Sequence, residues 1–171
     1  MNDALIPERW SRLAEGADHV DARTGQGTVS VLELAAGILS YRPAWMDVLW
    51  RMRGWLVRGL GLGRQEVHVL RFTAETLPVK PGVSLGFFEV VDSDGKTFWI
   101  VEGRESHLEA ILAVFAEPMP GKPGVSRFRV VTVVRYRSRI GPIYFNIIKP
   151  FHHLVVKFSM RDALGTGRPQ L

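Results

Sequence analysis

Hydrophobic and polar positions follow two different periods along this chain, and the change of period divides it. Between residues 30 and 60 the spacing is helical. Ser30-Val-Leu-Glu33 fits a capping box, in which the serine side chain bonds the N3 amide and the glutamate reaches back. A helix is predicted from Val31 to Leu39. Arg42 precedes Pro43 and so avoids the helical region, which breaks the helix there. Pro43 opens a second helix. Trp45, Leu49, Met52, Leu56 and Leu60 form its apolar stripe, Asp47, Arg51, Gly54 and Arg58 lie opposite, and GLGLG (59–63) ends it.

From about residue 64 the period shortens to two. EVHVLRF (66–72), SLGFFEVV (84–91), KTFWIVE (96–102), HLEAILAVFAE (107–117) and SRFRVVTVVRYR (126–137) read as five strands, and HVDAR (19–23) as a short earlier one before the turn-rich TGQGT (24–28). Turns such as DSDG (92–95) and GRES (103–106) are too short for crossovers, so the strands are antiparallel neighbours. Alternation puts Arg127, Arg129, Arg135 and Arg137 on one face and Phe128, Val130, Thr132, Val134 and Tyr136 on the other; His107, Glu109 and Glu117 likewise share a polar face. The expectation is a sheet covered on one side. A last helix begins near IGPIYF. Its apolar positions are Tyr144, Ile148, Phe151, Val155 and Phe158, its polar stripe is Asn146, Lys149, His153, Lys157 and Arg161, and Pro150 lies inside it.

The order strand, two helices, five strands, long helix predicts an α+β fold: a curved antiparallel sheet gripping the C-terminal helix, with two helices inserted after the first strand and a concave space between helix and sheet. Residues 17–165 form its single domain, 1–16 a loosely ordered segment anchored by Trp10, and 166–171 a flexible tail. The 171 residues are 46% hydrophobic, enough for one full core. No cysteine is present, which excludes disulfides and thiolate chemistry. No apolar run is long enough for a transmembrane segment, and MNDALIPERW lacks a signal-peptide pattern, so a soluble, cytoplasmic protein is expected. The net charge of +5 is uneven: residues 127–171 hold nine bases and one acid. That basic face offers no interleaved aromatics for stacking, so nucleic acid is not an expected partner.

The runs PAWMDVLWRMRGWLVRGLGL (43–62) and RIGPIYFNIIKPFHHLVV (139–156) resemble a bacterial domain family of unknown function within the START-like, polyketide-cyclase-like (SRPBCC) superfamily, as do ADHVDAR (17–23) and HLEA (107–110). The resemblance spans most of residues 17–160, and the G-x-x-Y-F…K-P-F-H pattern is its most specific part. It implies the helix-grip fold and a buried apolar cavity; it supplies no catalytic set. In the Glu102–Glu105 turn, where relatives show Gly and Asp, this chain departs from the pattern.

Three short patterns compete with that reading. Gly82-Val-Ser84-Leu-Gly86 spells a hydrolase elbow, but a strand rather than a helix follows it. GLGLG follows a helix instead of opening one, so it is no dinucleotide loop. The five histidines (19, 68, 107, 152 and 153) include no pair at metal-binding helical spacing, so no metal and no cofactor is predicted.

The leading expectation is therefore a small apolar or amphipathic ligand in the cavity between C-terminal helix and sheet, lined by Trp45, Leu49, Trp99, Leu112, Thr132, Val134, Tyr144 and His152, with Thr132, Tyr144 and His152 supplying hydrogen bonds. One alternative is a cyclase- or dehydratase-like enzyme using His152 and Tyr144 in acid–base roles. Another is a peripheral membrane or protein-interaction module using the basic face and the Trp-rich helix. The ligand, any catalysis and the oligomeric state are left open by the sequence.

Overall fold

A computed structural model describes residues 6–59 and 71–165, the side chains of residues 49, 50, 53, 56 and 57 excepted. A 3-10 helix (Glu8–Ala14) leads into β1 (His19–Gly27), α1 (Val31–Ser40) and α2 (Met46–Gly59). Strands β2 (Ser84–Leu85), β3 (Phe88–Ser93), β4 (Phe98–Arg104), β5 (Leu108–Pro118) and β6 (Ser126–Tyr136) follow, and α3 (Gly141–Ala163) closes the chain. The six strands form one antiparallel sheet in the order β1-β6-β5-β4-β3-β2, with α3 held against it: the helix-grip arrangement.

The capping box of α1 is complete, with the Ser30 hydroxyl accepting from the Glu33 amide and the Glu33 carboxylate accepting from the Ser30 amide. Helix α2 starts at Met46, three residues after Pro43. Of the predicted stripe of α2, the described side chains Trp45 and Met52 are exposed, at 39% and 50%, whereas Met46, off the stripe, is buried. The run 84–91 divides into two strands at Gly86, whose φ of +66° suits glycine. The expected strand 66–72 lies outside the described residues up to 70, as do His68 and most of GLGLG; Arg71 and Phe72 are not in a strand.

Strand β1 runs on through TGQ to Gly27, where a turn was expected, because α3 lies close over it. A Cβ on Gly25 would come within 2.5 Å of Leu164 Cδ1 and 2.9 Å of Met160 Cε. Gly37 does the same for α1: a Cβ there would meet Ala163 Cβ at 2.6 Å. Helix α3 buries Tyr144 and packs Ile148 as its periodicity suggested, but turns a different side inward over its C-terminal half. Tyr144, Phe145, Val156, Ser159 and Met160 are buried, while Phe158 is exposed toward Trp45 on α2.

Both faces of the sheet are covered, not one. The inner face packs Trp99, Val101, Leu112, Val114, Phe128 and Val130 against Leu34 and Ile38 of α1 and Val156 and Met160 of α3. The outer face packs Phe98, Ile100, Ile111, Phe115, Val131 and Val133 beneath Ile6, Trp10 and Leu13. Residues 8–14, within the segment expected to be loose, are thus the cover of a second core. The Trp10 ring lies 4.8 Å from that of Phe98. Arg135, one of the outward arginines, pins this cover. Its Nη2 donates to the Leu13 carbonyl (2.7 Å), its Nε to that of Glu15 (3.1 Å), and its Nη1 to the Glu109 carboxylate (2.5 Å).

The β3–β4 hairpin is closed by Asp94, whose carboxylate accepts from the amides of Lys96 (2.8 Å), Thr97 (2.7 Å) and Phe98 (3.0 Å) and from the Thr97 hydroxyl. Burial opposes ionisation here, but the donors outweigh it and hold the pKa down to about 2.

Two outcomes follow from this architecture. Trp10→Ala should cost about 2 kcal/mol in urea denaturation, since it strips a half-buried aromatic from the outer core; an unchanged midpoint would mean the N-terminal cover contributes no core. Asp94→Ala should cost about 1–2 kcal/mol at neutral pH. Because the folded pKa lies below the unfolded 3.8, that contribution is present above about pH 4 and lost as pH falls toward 2. Wild type and variant should therefore converge in acid denaturation.

Candidate functional site

Alternation along β1 sends Val20 and Ala22 to the outer core and His19, Asp21 and Arg23 to the inner face. Pairing with β6 sets His19 beside Val134, Asp21 beside Thr132 and Arg23 beside Val130. From above, α3 lowers Lys149, His152 and His153 toward the same strand. The His153 ring stacks 5.7 Å from His19, and its Nε2 is 4.0 Å from Asp21 Oδ2. Arg23 Nε is 3.5 Å from the same Asp21 oxygen. The His19 ring also lies 5.0 Å from Phe145. A polar seam thus runs between α3 and the edge strand, along the border of an otherwise apolar interior.

The seam holds polar atoms that the fold encloses without pairing. His19 Nε2, Arg23 Nε, Thr132 Oγ1, His152 Nε2 and His153 Nε2 have no hydrogen-bond partner among the described residues. Such groups are uncommon, because an unpaired buried donor or acceptor costs about 1–3 kcal/mol. Burial pushes His152 down to about pH 4; the neighbouring His153, His19 and Arg23 act in the same sense, and only Asp21 opposes them. His19 is lowered by burial first, then by Lys149 and His153, against Asp21. Both histidines are neutral at pH 7, and the seam carries more positive than negative charge.

The residues named from the sequence fall in three places. Trp99 and Leu112 belong to the main inner core, and the Trp99 Nε1 donates to the Pro78 carbonyl at 2.9 Å. Val134 and Tyr144 pack with Leu108 and Phe145 at the end of the sheet nearer the start of α3. Thr132 lies beside Asp21 on the sheet, and His152 on α3 lies within electrostatic reach of Asp21, His19 and Arg23. Trp45 sits at the α2–α3 junction, 39% exposed, against Phe158 and Tyr41. The side chain of Leu49 lies outside the described residues. Beside Tyr41 and Phe158, a cleft of about 250 Å³ is lined also by Arg161 and Asp162.

Sequence reasoning missed His19, Asp21 and Arg23, and it placed His153 on the solvent side of α3. The available signal was the alternation in HVDAR, which separates the three polar residues from Val20 and Ala22. It also set His107 on an outer face. The chain instead reverses at Glu105, whose amide donates to the Leu108 carbonyl, and strand alternation does not hold through a turn. Glu105 and His107 are both buried there, 3.0 Å apart at Oε2 and Nε2, with the His107 ring edge-on to Tyr144 at 4.5 Å.

That contact separates the two candidate acid–base residues. Tyr144 and His152 are eight positions apart on α3, about 12 Å along its axis, and Tyr144 is engaged with His107. Ser84, between Gly82 and Gly86, is an exposed residue of a two-residue strand in a hairpin, not a nucleophile elbow. Among the described residues no three His, Asp or Glu side chains are grouped so as to hold a metal ion. No helix among them is long and apolar enough to cross a membrane.

Residues 13–159 match the protein family described as "Protein of unknown function (DUF2867)". No curated protein matches the chain. Among solved structures, norcoclaurine synthase from Thalictrum flavum is similar at 11% identity over 91% of this chain and 90% of that one, with a TM-score of 0.44. The same enzyme in complex with dopamine and hydroxybenzaldehyde matches at 10% identity over 96% and 97%, with a TM-score of 0.40. Ara h 8.0201 matches at 12% identity over 86% and 98%, with a TM-score of 0.39.

The depressed His152 makes a pH signature. The unfolded chain binds this proton near pH 6.5 and the folded one only near 4, so stability falls as pH drops through that window. His152→Leu should flatten the acid limb between pH 6.5 and 4 in thermal melts. An unaltered limb would show that His152 is solvated and titrates normally.

Proposed function

The chain belongs to the DUF2867 family of unknown function, and from that premise we propose that it binds a small amphipathic molecule between α3 and the inner face of the sheet. One observation carries this reading. Thr132 Oγ1 on the sheet and His152 Nε2 on α3 are both enclosed atoms, and neither has a hydrogen-bond partner among the described residues. A bound molecule with one polar group would complete both bonds, while its apolar part would meet the aliphatic residues around them. Ligand sites have this composition: mostly apolar walls with a few placed polar groups.

The proposed contacts are Leu112, Thr132, Val134 and His152. Acid–base catalysis by His152 with Tyr144 is disfavoured by their separation along α3. Binding without chemistry is the reading the geometry favours.

Thr132→Val tests it, because the swap keeps the shape and removes the unpaired hydroxyl. Ligand-free Thr132→Val should be more stable than wild type by about 1 kcal/mol, and it should bind n-octanol several-fold more weakly by calorimetry. Loss of stability together with unchanged octanol binding would refute the role of Thr132. Absence of saturable binding of either octanol or octanoate by the wild-type protein would refute the ligand-binding function itself.

A further inference from the structure

The seam between β1 and α3 carries information about the ligand's polar end. Three cationic or protonatable groups on α3, namely Lys149, His152 and His153, face His19 and Arg23 of β1, and Asp21 is the acid among them. The neighbouring β6 positions Val130, Thr132 and Val134 add no charge to this face. Arg23 and His153 are partly exposed, with 29% and 32% of their side chains accessible, and the Nε2 atom of His152 is enclosed. A permanent cation thus stands at the edge, with a neutral imidazole and a hydroxyl beside it.

We propose that this seam is an anion site, and that the molecule held between α3 and the sheet is a carboxylate-bearing amphiphile whose head group lies between Arg23, His19 and His153. The proposal rests on the ligand-binding reading above and names its substrate class. A guanidinium offers paired N–H donors at the spacing of a carboxylate's two oxygens, and a charge-assisted bond of this kind is stronger than a neutral one. The enclosed Nε2 of His19 and Nε of Arg23 are the donors that such a head group would engage once His19 is protonated. Asp21 holds Arg23 and His153 near the site from one side without closing hydrogen bonds to them, at 3.5 and 4.0 Å. The same head group would serve Thr132 and His152, since Thr132 stands beside Asp21 between Arg23 and His19, and an apolar tail would run inward along Leu112. Because an anion between them favours protonation of the histidines, binding should take up protons and tighten as pH falls toward 6.

The experiment compares octanoate, octanol and octyltrimethylammonium by calorimetry on the full chain at pH 7.5 and 6.0. The expected result is octanoate at least tenfold tighter than octanol, the quaternary amine weakest, and a further tightening for octanoate alone at pH 6.0. Arg23→Gln should bring octanoate down to the octanol level and leave octanol unchanged. A second measurement needs no variant: octanoate, but not octanol, should raise the His19 titration midpoint followed by NMR in the wild-type protein. Saturable octanol binding with no preference for octanoate would overturn the anion site while the apolar reading stands. An Arg23→Gln variant that weakens both equally, or a His19 midpoint that octanoate leaves in place, would also overturn it. Failure of all three probes to bind would overturn the underlying ligand-binding reading instead.

Discussion

A helix can lie on a sheet only as closely as the side chains between them allow, and in this protein glycine sets that distance at one end. Gly25 on β1 and Gly37 on α1 leave no Cβ where Leu164, Met160 and Ala163 press in. The C-terminal end of α3 is therefore seated tightly between strand and helix. Two to six residues earlier on β1 Gly25 gives way to Arg23, Asp21 and His19, and the matching turns of α3 carry His152 and His153. Full-sized polar side chains there must occupy the interval that glycine closes further along.

The polar seam follows from that change, and it is energetically conspicuous. A domain of this size is stable by only about 5–15 kcal/mol, and each unpaired buried polar group costs about 1–3 kcal/mol. Apolar replacements at Thr132 and His152 would fit a simple core. Five such groups gather in the seam, where the ion pairs to Asp21 are no closer than 3.5 Å. By contrast, Glu105 Oε2 lies 3.0 Å from His107 Nε2 under Tyr144, and Arg135 donates to two carbonyls and a carboxylate. The seam leaves its bonding capacity open to something else.

Much of the architecture was legible in the chain. The capping box at Ser30, the break at Pro43 and the short turns between period-two runs each have a local cause, and local causes survive folding. The site was legible only in part. Thr132 and His152 could be picked out because each is a polar residue on or beside an apolar stripe. His19, Asp21 and Arg23 could not be oriented in the same way. HVDAR has one polar and one apolar face, and with a single core the apolar face would turn inward. The sheet has two cores, and Val20 and Ala22 satisfy the outer one beneath the N-terminal cover, which frees the polar face to meet α3.

The sequence by itself determined α1, the break at Pro43, the C-terminal helix and the antiparallel pairing of β3 to β6, because periods of two and of 3.6 and short turns are properties of the local chain. Tertiary structure alone decided which face meets which neighbour. The inward side of α3 turned away from Phe158 and toward His152 and Val156 because Gly25 and Gly37 fix where that helix rests. The outer face of the sheet became a core because residues 6–14 fold back over it. The seam itself joins residues 19–23 to residues 149–153, and a contact across some 130 positions leaves no periodic trace in either segment.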